Sequence, residues 1–181
     1  TGYLVHNLEF TAWAAMYAGC KQAALDVCDQ IESFLDEQKL RSHPMIATFF
    51  EAYTATRTMV LVRFGMWDEI LTEPEAPEWA AINRCLRHYA RGVAYANTGR
   101  IKEAREELEA FDKAVTMIPE GEWVMGNQPA VEIMPLGRLV LEGEIEFKAG
   151  NRAKGLELLG KAVELEETFK YAEPVPWMMP A

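Results

Sequence analysis

The sequence predicts an all-α fold, a right-handed α-α superhelix of about four helical hairpins in a single domain over residues 1–181. Three observations predict it. Apolar residues recur at helical spacing along nearly the whole chain, and no stretch alternates as a half-buried strand does. One phrase occurs four times: an apolar helix, a glycine, a short polar turn and a second amphipathic helix. The glycines are Gly19, Gly65, Gly99 and Gly150, and five residues after each stands a small or apolar residue, Ala24, Ile70, Ala104 or Gly155. A glycine in that place supplies the left-handed backbone that closes a helix. The residue five positions on sits where the two helices of a hairpin come closest, so bulk is excluded there.

Taken in order, helix 5–18 pairs with 21–38, 45–63 with 66–72, 78–98 with 101–118, and 131–149 with 152–168. These make hairpins over about 5–38, 45–72, 78–118 and 131–168, followed by a tail over 169–181. The first carries Ala12, Gly19 and Ala24. In the second, Pro44 suits the first turn of its helix, while Pro74 and Pro77 cut the second helix to about two turns. The third is the most regular: Gly92, Tyr95, Gly99 and Ala104 fall at small, large, turn and small positions, and Pro119 closes the unit. Its second helix carries Lys102–Glu106, Arg105–Glu109 and Glu109–Lys113 at i,i+4, the mark of a solvated face. The fourth repeats the pattern with Gly143, Gly150 and Ala162. The turn glycines lie 46, 34 and 51 residues apart. The longest interval holds an insertion, roughly Met117 to Pro135, rich in Gly, Pro and Glu; a connection of that length is functional or mobile.

Half of the 181 residues are apolar and a quarter are charged, a balance that supports a packed core and excludes disorder. Charge interrupts every apolar stretch, so no membrane insertion is expected. No secretory signal is visible, although the chain opens on Thr1 rather than methionine. Cys20, Cys28 and Cys85 are odd in number and form no CxxC pair, which fits reduced thiols and a cytoplasmic location. A net charge of −10 argues against nucleic acid. The acidity is concentrated in residues 101–181, with 16 acidic and 9 basic residues against 12 and 9 in residues 1–100. That imbalance favours solubility and repels anionic membranes without naming a partner.

The 34-residue interval and its Gly/Ala skeleton follow the tetratricopeptide pattern. The more specific segments are His6-Asn7-Leu8-Glu9-Phe10, Arg63-Phe64-Gly65-Met66-Trp67-Asp68-Glu69-Ile70, His88-Tyr89-Ala90-Arg91-Gly92 and Tyr171-Ala172-Glu173-Pro174-Val175-Pro176-Trp177. With these the chain resembles, over nearly its whole length, a largely uncharacterised family of bacterial-type tetratricopeptide-repeat proteins. The resemblance implies a helical solenoid that continues on both sides of this chain, and it implies no established reaction. It departs at Glu9, where such proteins often carry a second histidine after His-Asn, which puts in doubt any binding that depends on that histidine.

In a stack of this kind the first helices line a concave groove. The inward positions are His6, Glu9, Trp13, Met16 and Tyr17 in the first unit, and Ala52, Ala55, Met59, Val62 and Arg63 in the second. They are Leu86, Tyr89, Val93, Ala96 and Asn97 in the third, and Gly137, Val140, Glu144, Phe147 and Lys148 in the fourth. From these the expected partner-binding residues are His6, Glu9, Trp13, Tyr17, Met59, Arg63, Tyr89, Asn97, Glu144 and Phe147. The groove is mostly apolar and aromatic and lacks the Lys/Asn set that clamps a peptide carboxylate. It suits a protein or peptide partner presenting an apolar or amphipathic segment, or else it is filled by the protein's own insertion. Two other readings stay open: a small-molecule or metal module using His6, Glu9, Tyr89 and Glu144, and a subunit of a larger assembly that associates with itself through the ends of the stack.

No cofactor and no metal are expected, since His6, His43 and His88 lie in different units without metal-ligand spacing. His6 and Asn7 read as a helix-start pair, and His43 as the cap of the helix opened by Pro44. No enzymatic activity is expected either. Ser33 lies on a helix, and Ser42 beside His43 on a turn does not present a base-to-nucleophile geometry. The paired acids Glu106-Glu107 and Glu166-Glu167 read as solvated faces. At the tail, Trp177, Met178 and Met179 are expected to fold back on the last hairpin or to bury against another chain.

Overall fold

The computed structural model describes residues 2–35, 37–119 and 123–181. Among these the regular elements are helical apart from one short β ribbon, and residues 167–181 form a tail without regular structure. The order is α1 (Gly2–Tyr17), α2 (Lys21–Phe34), α3 (Glu37–Ser42), α4 (Pro44–Phe50), a 3-10 turn (Glu51–Ala55), α5 (Thr56–Arg63), α6 (Trp67–Thr72), α7 (Ala81–Asn97) and α8 (Ile101–Val115). The strands β1 (Val124–Met125) and β2 (Gln128–Pro129) follow, then α9 (Ala130–Lys148) and α10 (Arg152–Glu166). Sequence neighbours pack as pairs, α1 on α2, α5 on α6, α7 on α8 and α9 on α10, and the pairs meet through α1–α5, α5–α7, α7–α9 and α8–α9.

All four pairs turn in the same way. Gly19, Gly65, Gly99 and Gly150 have φ of +71°, +65°, +80° and +95°. Each glycine N–H donates to the carbonyl three residues back, and the next residue's N–H donates to the carbonyl five back, as in Cys20 to Ala15 and Asn151 to Glu146. This is the Schellman closure, which satisfies carbonyls a helix end leaves open. Ala24 and Ala104 are fully buried five residues on. At Gly155 the approach is backbone to backbone, for an added Cβ would lie 2.8 Å from Phe147 N and 2.9 Å from Gly143 O.

The sequence expectation for helix 45–63 fails in its middle. The chain there divides into α4, the 3-10 turn and α5, and the turn presents Glu51 to another element. The fully buried Glu51 carboxylate accepts the N–H groups of Ile82 at 3.1 Å and Asn83 at 2.7 Å. These are orphan donors in the first turn of α7, whose N-cap, Ala80, has no side-chain oxygen to offer. Asn83 Nδ2 also donates to Thr54 Oγ1 at 2.8 Å. Replacing Glu51 with alanine is expected to cost about 1–3 kcal/mol, the penalty for leaving buried donors unpaired. An unchanged urea midpoint would rule out this remote cap.

Other departures are local. α2 stops at Phe34, and residues 37–42 form the separate α3. The insertion is not strand-free: β1 and β2 pair antiparallel, Val124 with Pro129 and Met125 with Gln128, about Gly126-Asn127, while its residues 120–122 lie outside the described residues. His6 and Asn7 fall in the second turn of α1 rather than at its start. His43 does occupy the N-cap of α4, but its side chain makes no capping bond; its Nδ1 lies 2.9 Å from Ser42 Oγ, both residues exposed. Within α8, Lys102 pairs with Glu106 at 3.7 Å, whereas Arg105 reaches across to Glu146 of α9 at 2.9 Å.

Arginines tie successive pairs together. Arg57 of α5 bonds Glu32 of α2 at 2.6 Å and also Asp29, and Arg138 of α9 bonds Asp112 of α8 at 2.9 Å. Arg91 of α7 donates to Glu107 of α8 at 2.7 Å, to Leu71 O at 3.1 Å and to Tyr95 Oη at 2.9 Å. Burial opposes ionisation of Glu107, but the hydrogen bonds from His88 and Arg91 outweigh it and hold its pKa below the ordinary value. His88 is thereby a structural partner of Glu107, at 2.7 Å.

Candidate functional site

The first helices α1, α5, α7 and α9, with the 3-10 turn, bring one row of side chains together, and the chain itself covers the middle of that row. Met59, Leu86, Tyr89 and Val93 are buried. Over them lie the β ribbon and residues 171–179. Trp177, 1% exposed, meets the Tyr89 ring edge to face with centroids 4.9 Å apart. Its six-membered ring rests on Gly137, where an added Cβ would lie 2.4 Å from the indole. A helix-interior glycine is costly unless something must come close, and here an indole does. The ribbon holds the same segment from the other side: Asn127 Nδ2 donates to Tyr171 O at 3.0 Å, and Lys170 N–H donates to Gln128 Oε1. At the end of the chain, Ala181 N–H donates to Glu166 Oε2 at 3.0 Å.

Between floor and cover remains a cavity of about 40 Å³, lined by Glu9, Tyr53, Thr56, Met59, Met125 and Pro174, among others. That is room for only a few waters. Glu9 lies on this cavity, 7% exposed. Burial raises its pKa to about 8 against the opposing hydrogen bond donated by Tyr53. Burial and the neighbouring Glu9 in turn raise the Tyr53 phenol well above its ordinary range. Glu9 is therefore a protonated carboxyl within the fold at neutral pH, not a charge on an open surface.

The expected binding residues thus separate into two sets. Glu9, Met59 and Tyr89 are buried beneath the tail or beside it. Asn97 turns back on its own helix, its Nδ2 donating to Val93 O at 3.0 Å. Phe147 is half-buried under Arg152, whose guanidinium carbon stands 5.7 Å from the ring centre, and Glu144 is half-buried on α9. At the α1 end Tyr17 and Arg63 are exposed, while His6 and Trp13 are half-buried. Tyr3, His6, Phe10, Trp13 and Tyr17 form a continuous aromatic ladder along α1, with successive centroids 6.2, 6.5, 5.8 and 4.5 Å apart. The Arg63 guanidinium stands 5.7 Å from the Tyr17 ring centre and extends the ladder to α5.

Trp177 folds back on α9 of the last hairpin, the first of the two outcomes expected of the tail, and reaches Tyr89 of α7 as well. Sequence reasoning missed Glu51, and it placed Gly137 among the inward positions without finding what packs there. The glycine inside an otherwise helical pattern was the available signal for a close approach. Among the described residues, no three His, Cys, Asp or Glu side chains converge as a metal site requires. Burial pushes the Cys28 and Cys85 thiols up to about 12, leaving only Cys20 exposed. Also among the described residues, no helix is long and apolar enough to cross a membrane.

These features define an all-helical protein of packed neighbouring helices, with a row of first-helix side chains roofed at its centre by its own tail. No family model matches the chain, and neither a curated protein nor a solved structure matches it.

Proposed function

We propose that the chain is a tetratricopeptide-type superhelical stack and works as a non-catalytic scaffold or adaptor, holding an apolar or amphipathic protein segment against the first helices. The observation that carries this reading is the aromatic ladder of α1, which ends beside Arg63 and in which Tyr3, Phe10 and Tyr17 are exposed. The identical closure of all four hairpins supports the repeat assignment, because a solenoid is built from one unit used again. A helix or extended peptide bearing apolar anchors suits such a row, and the central groove belongs to the tail rather than to the partner.

Selecting displayed amphipathic peptides on the intact chain tests this reading. An aromatic anchor is worth roughly 2–4 kcal/mol, so Trp13→Ala is expected to weaken a selected peptide by at least about tenfold while the helical circular dichroism persists. Equal affinity for the variant would remove the α1 ladder from the binding surface.

A further inference from the structure

The tail that roofs the first helices is fastened unevenly. Hydrogen bonds hold its ends: Lys170 N–H and Tyr171 O to the ribbon, and Ala181 N–H to Glu166 Oε2. Between them, residues 172–180 make no hydrogen bond to any other described residue. Pro174, Pro176 and Pro180 have no N–H to donate. The Trp177 indole N–H is likewise buried without an acceptor among the described residues. Apolar packing alone keeps this stretch down, at the Gly137 notch and against Gly126, where an added Cβ would lie 3.1 Å from Ala172 Cβ and 3.4 Å from Pro176 Cβ.

Beneath the tail lies a carboxyl with no counter-ion. Glu9 reaches the small cavity there from α1 and accepts a hydrogen bond from Tyr53. The one other ionisable group of the lining is Glu173, carried by the tail and of the same sign. From α5, Arg57 faces Glu32 and Asp29 of α2, and Arg63 reaches Met16 O and the Tyr17 ring. In the 3-10 turn Glu51 is engaged by α7, and on α1 His6 stands within the aromatic ladder. α7 and the ribbon offer the cavity only Leu86, Met125 and Gly126. A carboxylate here has no cation and room for few waters, and burial pushes its pKa up to about 8. The surrounding helices are braced by their own backbone bonds, whereas the tail between its ends is not. Water therefore reaches Glu9 most readily by lifting the tail.

We infer that the tail is a pH-sensitive cover: ionisation of Glu9 lifts residues 172–180 off the first helices and uncovers Met59, Leu86 and Tyr89. The closed form keeps a proton that the open form, with Glu9 in water, releases near the ordinary value of 4.5. Opening is therefore favoured as pH rises, and the ratio of open to closed grows by up to about tenfold per pH unit. The growth levels off above about pH 8, where the closed form ionises too. The inference concerns the central floor and is separate from what the aromatic ladder binds.

Hydrogen exchange of the Trp177 indole N–H, followed by NMR in the full 181-residue chain, tests it. Each rate is divided by that of the same indole in a free peptide of residues 168–181 at the same pH, which removes the intrinsic pH dependence of exchange. The normalised rate is expected to rise by at least about tenfold between pH 6 and pH 8, while the backbone amides of α7 and α8 keep their protection. In Glu9→Gln the rate is expected to stay flat. Tyr53→Phe removes a bond that favours the carboxylate and is expected to move the rise to higher pH; this variant decides the matter if Glu9→Gln does not fold. A flat rate in the unaltered chain overturns the inference, as does a rise that persists in Glu9→Gln or is unmoved in Tyr53→Phe. Loss of α7 and α8 protection in step with the indole also overturns it, because the whole chain rather than the cover would then be opening.

Discussion

Trp177→Ala is expected to destabilise the protein by about 3–5 kcal/mol, the range for deleting a large buried aromatic. The indole is almost fully enclosed, stands edge to face with Tyr89, and rests on a glycine that leaves no other contact at that spot. Its loss removes the anchor of the whole segment over α7 and α9, and the chain around it has few alternatives. Ala172 and Met178 are buried in the same layer, and Asn127 and Gln128 bond only the start of the segment. Two readouts are expected together: a lower urea midpoint, and faster proteolysis after residue 170 than in the helices. A complementary route is Gly137→Ala, whose methyl would displace the indole without altering the tail. If Trp177→Ala changed stability by less than about 1 kcal/mol, as surface substitutions do, the tail would be an ornament of the fold rather than its roof.

The second large effect is on pH. In the folded chain Glu9 holds its proton to about pH 8 and Glu51 to about pH 7, whereas the same carboxyls ionise near 4.5 when free of the fold. Desolvation is the first cause in both cases; hydrogen bonds from Tyr53 and from the N–H groups of α7 oppose it only in part. Between pH 4.5 and those values the folded state binds more protons than the unfolded one, so stability falls as pH rises. With each pKa unit worth about 1.4 kcal/mol, Glu9 accounts for a loss on the order of 3–5 kcal/mol between pH 5 and pH 8.

Glu107 and Glu146 act in the opposite sense and in a different window. Burial disfavours the Glu107 charge but its partners more than compensate, and Asn151 leads the groups that stabilise charge on Glu146. Their lowered pKa values contribute stability above the free carboxylate value and lose it as pH falls further. The expected profile is therefore a maximum near pH 5 with a decline toward pH 8. Glu9→Gln, which keeps an acceptor for Tyr53 and cannot ionise, is expected to flatten the alkaline side. Urea midpoints at pH 5, 6.5 and 8 decide the matter, and equal midpoints for the unaltered chain would show that Glu9 is hydrated.

The four hairpin turns were legible in the sequence because every interaction that makes them is local. A Schellman closure spans six residues, needs a glycine at one place, and is indifferent to the rest of the molecule. The same holds for the short α6 before Pro74 and for the buried alanines five residues beyond two of the glycines. What lies over the first helices was legible only as alternatives, the groove filled by the insertion or by a partner and the tail folded back or buried against another chain. Trp177 meets Tyr89 and Gly137 from far along the chain, and in sequence it is one apolar residue in a proline-bounded tail. Glu9 looked like a groove charge because polarity is a property of the residue, while its protonation depends on Tyr53 and on the cover above it. Glu51 broke an otherwise continuous helical pattern to supply the cap that Ala80 lacks, across 31 residues. Local hydrogen bonding and periodicity thus determined the helices and their pairing. Burial decided which polar groups are charged and which apolar faces remain open, because desolvation depends on neighbours that only the folded chain brings together.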